Sequence, residues 1–473
     1  MKYLYGLSIQ GIQSYIFATN KLKEIIGASQ LIKNLPKQII EEVLGQELDE
    51  DKILIDAAGN FKYEFDNKDQ CDLVFKCVPM QFQQLAGNIT VSQAIVETEK
   101  LSTEDIDRLE DKLKMQRNKP SLSPRLASIA IFKNPKTGNP CIHKDREYLD
   151  FNQKKKREEF EKGNIISPFS NYDKLLMDDI EKMAINNESW IGVIHADGNS
   201  LGKKVIALGK RITEEGLDVM TTFRDFSNKL QYATENAVMR AFNETIESNK
   251  EGGKIPFRPI IIGGDDVTVV TRGDLALDFT DRFLYYFEEE TKKQLGYLTE
   301  FADGLTACAG IAYIKSHYPF HYGVELAESL SKQAKKDTKE MKKVLAPSCL
   351  MFHKMYSSYV REWDKIAGME LKSGDTNLVN GPYYIHKVDN KPTIEELKTF
   401  AKFLAEDASP KTNIRKWLSE LGKDSIRAKD LMKRTKEITN DNYWKELKLE
   451  STLEEKVSST HLYDALVIED LNH

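Results

Sequence analysis

The stretch IIIGGDDVTVV, residues 260–270, limits the fold of this chain more than any other. Apolar β-branched residues stand on both sides of it, Ile260 to Ile262 and then Val267, Val269 and Val270. That pattern predicts two short buried strands, with Gly263-Gly264 as the tight turn between them. Two adjacent carboxylates, Asp265 and Asp266, then sit at the tip of a hairpin. Aspartate favours turns in general, so an aspartate-rich turn is the plain alternative. A turn needs only one acid, however, and the surrounding elements give the pair a partner.

The partner lies upstream, in SWIGVIHADGNSLGKKV, residues 189–205. Here an apolar strand from Trp190 to Ala196 ends on Asp197 and a Gly-Asn turn, after which a helix starts. Backbone N–H groups around Gly198, Asn199 and Ser200 are expected to face whatever lies above the turn, an arrangement suited to phosphate. His195 reads as an ordinary strand histidine, turned away from Asp197 by the strand's alternation. From 217 to 246 the residues Leu217, Met220, Phe223, Phe226, Leu230, Ala233, Ala237 and Phe242 recur at helical spacing. After the hairpin come a helical stretch (about 275–295), an alternating strand (305–314) and a helix (322–344).

Strand, helix, hairpin, helix, strand, helix is the order of a ferredoxin-like palm, an α+β fold in which the first strand lies beside the hairpin. Asp197, Asp265 and Asp266 then converge from separate strand ends. Three such carboxylates repel one another unless a divalent cation neutralises them, and hard oxygen ligands select Mg²⁺ or Mn²⁺ over zinc. Two ions of that kind suit nucleotidyl transfer, one activating a 3′-hydroxyl and the other steadying a triphosphate as pyrophosphate leaves. Lys335, with Lys332 one turn earlier, would meet the outer phosphates as point charges. A solvated helix face explains Lys332, Lys335 and Lys336 equally well.

The start of the chain repeats the pattern weakly. KYLYGLSIQGIQSYIFATNKL is again a strand, a glycine turn and a helix, and KILIDAAGNFKYEF again a strand, a glycine-containing tip and an alternating strand. Laid together, Gln10-Gly11 falls on Asp197-Gly198 and Gly59-Asn60 on Asp265-Asp266. The first copy keeps a backbone cradle without the carboxylates, so it is expected to hold a nucleotide and not to catalyse. Two unrelated α+β domains would look much the same.

Composition bounds the rest. At 473 residues the chain exceeds one compact core. A net charge of -6 excludes a globally basic nucleic-acid coat, so any nucleic acid is held locally. The five cysteines form no CxxC pair, which fits a reduced, cytoplasmic protein. Nothing reads as a signal peptide or a membrane span.

The combination of GLSIQGIQSYIF, AAGNF, DGNSLG, GGDD and AGIAYIKSHYPFHYGVELAESLSKQAKK resembles the large polymerase-like subunit of type III CRISPR effector complexes, and more distantly the GGDEF nucleotide cyclases. The resemblance spans about residues 1–345. It implies a degenerate palm at 1–135, a linker or helical insert at 136–186, a catalytic GGDD palm at 187–345 and a mainly helical domain at 346–473. It also implies synthesis of cyclic oligoadenylate from ATP through 3′–5′ bonds, as a second messenger of antiviral defence. By the match, Asp197, Asp265 and Asp266 are the metal ligands and catalytic residues. Lys335 contacts the triphosphate, and Gly11, Ile12, Gln13 and Ser14 form the acceptor-side cradle. Gly198, Asn199, Ser200, Gly264 and Lys332 complete the nucleotide-binding set. Guide RNA, target RNA and other type III subunits are the implied partners.

Two departures shape the expectation. The chain opens directly on the first palm strand, and none of its eight histidines is followed by aspartate, so the DNA cleavage of members bearing an HD nuclease domain is not expected. Between the palms only Cys141 and His143 offer soft ligands, too few for a tetrahedral zinc site. The basic run KKKREE there reads as a solvated helix face in a linker. The rival readings are a diguanylate cyclase acting on GTP and a non-catalytic nucleotide-binding scaffold in an RNA-guided ribonucleoprotein.

Overall fold

The computed structural model describes residues 1–57, 59–119, 131–144, 147–163, 168–184, 190–341, 343, 345–356, 363–454 and 457–472. Residues 120–130, residues 357–362 and the His143 side chain lie outside the described residues.

The chain begins with β1 (Lys2–Gln10), α1 (Ile12–Ile16) and α2 (Leu22–Leu44), then the hairpin β2 (Ile53–Ala57) and β3 (Asn60–Phe65). Next come α3 (Lys68–Leu85), β4 (Thr90–Thr98) and α4 (Thr103–Arg117). The strands form one antiparallel sheet in the order β2-β3-β1-β4, the ferredoxin-like arrangement in which the first strand separates the hairpin from the fourth. Helix α4 starts on a capping box, Ser102 and Asp105 satisfying each other's backbone N–H groups.

The segment between the palms holds a hairpin and helices. A small hairpin, β5 (Cys141–Lys144) and β6 (Tyr148–Asp150), leads into α5 (Phe151–Glu161), capped by Asp150 and Gln153, and then into the short α6 (Ile180–Met183). The KKKREE run lies on α5, but it is not the solvated face read from the sequence: Lys156 is only 3% exposed. That face packs against α2, where Gly27 lets the helices approach so closely that a Cβ would meet the Lys156 carbonyl oxygen at 1.8 Å.

The second sheet rises from β7 (Trp190–Gly198), followed by α7 (Leu201–Glu215), α8 (Val219–Thr245), β8 (Phe257–Gly263), β9 (Asp266–Arg272), α9 (Gly273–Leu295), β10 (Ala307–Lys315) and α10 (Phe320–Glu340). Its central order, β10-β7-β9-β8, repeats the ferredoxin-like arrangement. The alternation of the buried strands drives the layering. Ile194, Ala196, Val267 and Val269 join the core beneath α8 and α9, whereas Ile191, Val193, Val270 and Ala312 join the core beneath α10. On the first side Phe242 and Phe279 each pack tilted against Phe257 with ring centroids 5.1 Å apart, and each such pair contributes about 1 kcal/mol beyond its buried area. On the second side α2 of the first sheet shares a core with α10, and Ser29 on α2 donates to the Ile260 carbonyl. The two sheets are thereby fixed to each other.

Beyond α10, β11 (Cys349–Lys354) adds to the second sheet in parallel with β10. Helix α11 (Trp363–Met369) and the small pair β12 (Lys372–Ser373) and β13 (Thr376–Asn377) follow, and β14 (Tyr383–Tyr384), in GPYYIHKV, closes the sheet beside β11. The remainder is helical: α12 (Ile394–Ala405), α13 (Lys411–Leu421), α14 (Ser425–Ile438), α15 (Asp441–Glu446) and α16 (Leu462–Leu471). The α+β reading with two ferredoxin-like sheets and a helical C-terminal part matches this architecture.

One glycine tests the layering. A Cβ on Gly310 in β10 would lie 2.0 Å from the Ala327 carbonyl oxygen of α10, backbone that cannot step aside. Gly310→Ala is expected to destabilise the protein by at least about 3 kcal/mol, read as a lowered midpoint in denaturant. Gly202→Ala, at an open position on α7, is expected to leave the midpoint unchanged or raise it by up to about 1 kcal/mol.

Candidate functional site

The strand registers decide where the carboxylates meet. Ala196 on β7 pairs with Val267 on β9, so one step further Asp197 stands opposite Asp266, the first residue of β9. Gly263 pairs with Asp266, which makes Gly264-Asp265 the two-residue turn. The sequence placed that turn one residue earlier. Gly264 has φ of 62°, which suits glycine, and Asp265 is carried to the tip. Oxygen atoms of Asp197, Asp265 and Asp266 all lie within 4.8 Å of one another, a set able to hold a metal ion.

The close approach depends on Gly198. A Cβ there would meet the Asp265 Oδ2 at 2.6 Å, so any side chain would push the hairpin tip off the end of β7. Helix α8 holds the tip from the other side: Gly264 N–H donates to Gln231 Oε1 at 2.8 Å, and Thr234 Oγ1 donates to the Gly264 carbonyl at 2.6 Å. Neither residue was singled out from the sequence. Their signal is two polar residues three apart on one face of α8, interrupting its apolar stripe.

The electrostatics follow from partial burial. Desolvation, reinforced by the charge of Asp197, pushes the Asp265 carboxyl up to about 6. Asp266 is pushed higher still by burial and then by the charges of Asp197 and Asp265. One cation answers them: Lys335 of α10 pairs with Asp197 and donates to the Gly198 carbonyl at 2.7 Å. Three acids against one lysine leave a deficit of positive charge, and the donor set consists of hard carboxylate oxygens, so Mg²⁺ or Mn²⁺ fits the residues present.

The other expected residues divide. Lys332 is exposed and pairs with Glu328 at 3.8 Å, one turn away along the same helix, so it does not join the carboxylates. Asn199 is buried, with its backbone N–H spent on the Thr306 carbonyl at 2.7 Å and its Nδ2 on Thr306 Oγ1 at 3.0 Å. It anchors the turn to the approach to β10, so the expected N–H cradle at Gly198, Asn199 and Ser200 loses its middle donor. Ser200 adopts φ of 60° as it starts α7. His195 is two residues before Asp197, so the strand's alternation puts both on the same side, contrary to the reading from sequence. Its Nδ1 lies 3.1 Å from Thr268 Oγ1, and burial pulls its pKa down to about 4, leaving it a neutral core histidine.

A cavity of about 480 Å³ joins the two halves of the chain. Gly11, Ile12, Gln13 and Ser14 line it from the first sheet, and Gln231, Gly263 and Asp266 from the second. The expected cradle residues and one of the carboxylates thus share one space. A larger cavity of about 640 Å³ lies elsewhere, between Lys21, Arg157 and His317, and contains none of the expected residues. The internal repeat holds at the hairpin, where Ala57 pairs with Asn60 as Gly263 pairs with Asp266. It shifts on the first strand: Asn60 faces Ser8, so Ser8, two residues before Gln10, occupies the place of Asp197.

Residues 190–344 match the family model described as Cas10/Cmr2, second palm domain. Among solved structures, a chain of a Csm1-Csm4 cassette in complex with pppApApA aligns with TM-score 0.57 and 12% identity over 100% of this chain and 69% of that one. The cassettes in complex with AMPPNP (TM-score 0.55, 13% identity, 100% and 70% coverage) and with cA4 (0.54, 12%, 100% and 70%) align in the same way. No curated protein matches the chain. The second sheet with its helices is therefore similar to a Cas10/Cmr2 second palm domain, and the chain as a whole shares its fold with a chain of the Csm1-Csm4 cassettes.

Proposed function

We propose that this chain is a nucleotidyltransferase that joins ATP through 3′–5′ phosphodiester bonds into a cyclic oligoadenylate. One observation carries the reading: Asp266 of the carboxylate cluster lines a cavity that the Gly11–Ser14 segment of the first palm also lines. A donor nucleotide and an acceptor nucleotide thus have facing places within a single chain.

Asp197, Asp265 and Asp266 would hold Mg²⁺ or Mn²⁺, and such ions supply acidification of a 3′-hydroxyl and neutralisation of a triphosphate. Lys335 turns its ammonium from Asp197 to the outer phosphates, where a point charge serves as well as a bidentate donor. Gln13 and Ser14 hold the acceptor nucleotide, while Ile9, Ile12, Ile261 and Ile262 give the cavity apolar walls that suit a base and exclude water. Gln231 and Thr234 keep Asp265 at the tip. No side chain is needed as general base.

The similar structures support ATP and a CRISPR setting, since those cassettes were crystallised with AMPPNP, pppApApA and cA4. By analogy the chain works as the polymerase-like subunit of a type III effector beside a Csm4-like partner, with guide and target RNA governing its activity. No helix among the described residues is long and apolar enough to cross a membrane.

The first test incubates the protein with ATP or GTP and Mg²⁺ or Mn²⁺, with and without guide and target RNA, and reads products by mass spectrometry. Cyclic adenylates are expected, falling at least about 10³-fold in the Asp265→Ala/Asp266→Ala variant. Products from GTP alone would replace this reading with a guanylate cyclase. Lys335→Ala is expected to raise the KM for ATP about tenfold, as the loss of one charge-assisted contact does. Because burial and mutual repulsion hold Asp265 near 6 and Asp266 above it, protons compete with the metal as pH falls. Calorimetric Mn²⁺ affinity is expected to weaken by up to about tenfold per pH unit below about 8 and more steeply below about 6, and binding is expected to release protons into the buffer.

A further inference from the structure

The segment between the palms carries a lysine whose placement no solvated helix face explains. Lys156 of α5 is 3% exposed, and among the described residues it forms no ion pair. Its Nζ instead donates to the Tyr15 carbonyl at 2.5 Å and lies 4.1 Å from the centre of the Tyr15 ring. Burying an ammonium is costly unless its protons are well used, and the cost shows in a pKa pulled down to about 8 by desolvation. The carbonyl it reaches belongs to the last turn of α1, where helical oxygens lack partners within the helix. Helix α1 is five residues long, too short to hold itself in place, and it carries Ile12, Gln13 and Ser14 into the inter-palm cavity.

The docking of α5 is built to place that ammonium. Arg157 donates from Nε and Nη2 to Oε1 of the fully buried Glu24 at 2.8 and 2.6 Å, and Thr19 Oγ1 donates to the other carboxylate oxygen at 2.7 Å. Gln153, which caps α5, accepts from Asn134 Nδ2 at 2.6 Å. Gly27 removes the side chain that would keep α5 away from α2. These contacts tie the insert to the stretch of chain around α1 and leave the aspartate cluster untouched.

We propose that Lys156 is a positioning residue for the acceptor nucleotide: from the segment between the palms it fixes the end of α1, and with it Gln13 and Ser14, against the cavity opposite Asp266. The proposal rests on the nucleotidyltransferase reading and gives the insert a task within it.

Lys156→Met keeps the buried chain length and removes the donor. Hydrogen–deuterium exchange at residues 12–17 is expected to quicken at least about tenfold while exchange in α8 and α9 stays as in the parent. Titration with α,β-methylene ATP and Mg²⁺ is expected to show one of two nucleotide sites weakened about tenfold and the other unchanged, with Mn²⁺ affinity intact. Lys156→Gln retains a donor on a shorter arm, so it is expected to fall between the two; it is read in the same way should the Met variant fail a thermal-unfolding check. Unchanged exchange at residues 12–17 overturns the positioning role, and so does quicker exchange with both nucleotide sites unaffected. A parent protein that takes up no analogue overturns the nucleotidyltransferase reading itself, and the positioning role falls with it.

Discussion

The adjacency of β7 and β9 is the constraint on which the rest depends. In the order β10-β7-β9-β8 the first strand of the palm lies against the second strand of the hairpin, so their ends open at one edge. Antiparallel pairing then sets Asp197 opposite Asp266, and a two-residue turn projects Asp265 over Gly198. A slip of one residue in either register would turn one carboxylate to the opposite face, beneath α8 and α9. The apolar alternation that buries Ile194 and Ala196 on that side and Ile191 and Val193 on the other therefore protects the site as well as the core.

The same geometry makes the site electrostatically unfinished. Three acidic groups are partly withdrawn from water, and the protein answers with one lysine paired to Asp197 and two backbone N–H groups at Asp265. The surrounding scaffold holds this repulsion in place: Gln231 and Thr234 tether Gly264, and Thr306 tethers Asn199. The first palm shows the relaxed counterpart. It has the same strand order and the same two-residue hairpin, with Ser8 and Asn60 at the positions of Asp197 and Asp266, and among the described residues no group of acids gathers there.

Much of this was legible in the sequence because it depends on local patterns. Runs such as Ile260–Ile262 and Val267–Val270 fix strands, and Asp197 reads as a strand end because a Gly-Asn turn follows it. The errors fall where a second element decides. Gly-Gly-Asp-Asp offers more than one two-residue turn, and only the pairing of Gly263 with Asp266 selects among them. Gln10 was matched to Asp197 because both precede a glycine, whereas the ladder assigns that place to Ser8. The Asn199 N–H looked free until Thr306, more than a hundred residues away, was seen to use it. Lys156 looked solvated because a lysine run carries no mark of burial, and the glycine that buries it lies on another helix.

The cavity between the palms has a consequence for how the site forms. Its walls come from residues near the start of the chain and from residues more than two hundred positions later, held together by a shared core and by Ser29 reaching Ile260. Two facing half-sites carried on separate molecules assemble only as fast and as often as those molecules meet. Here the two halves are covalently joined and packed, so their local concentration is set by the fold and not by how much protein is present. A single molecule in a dilute compartment has the complete cavity.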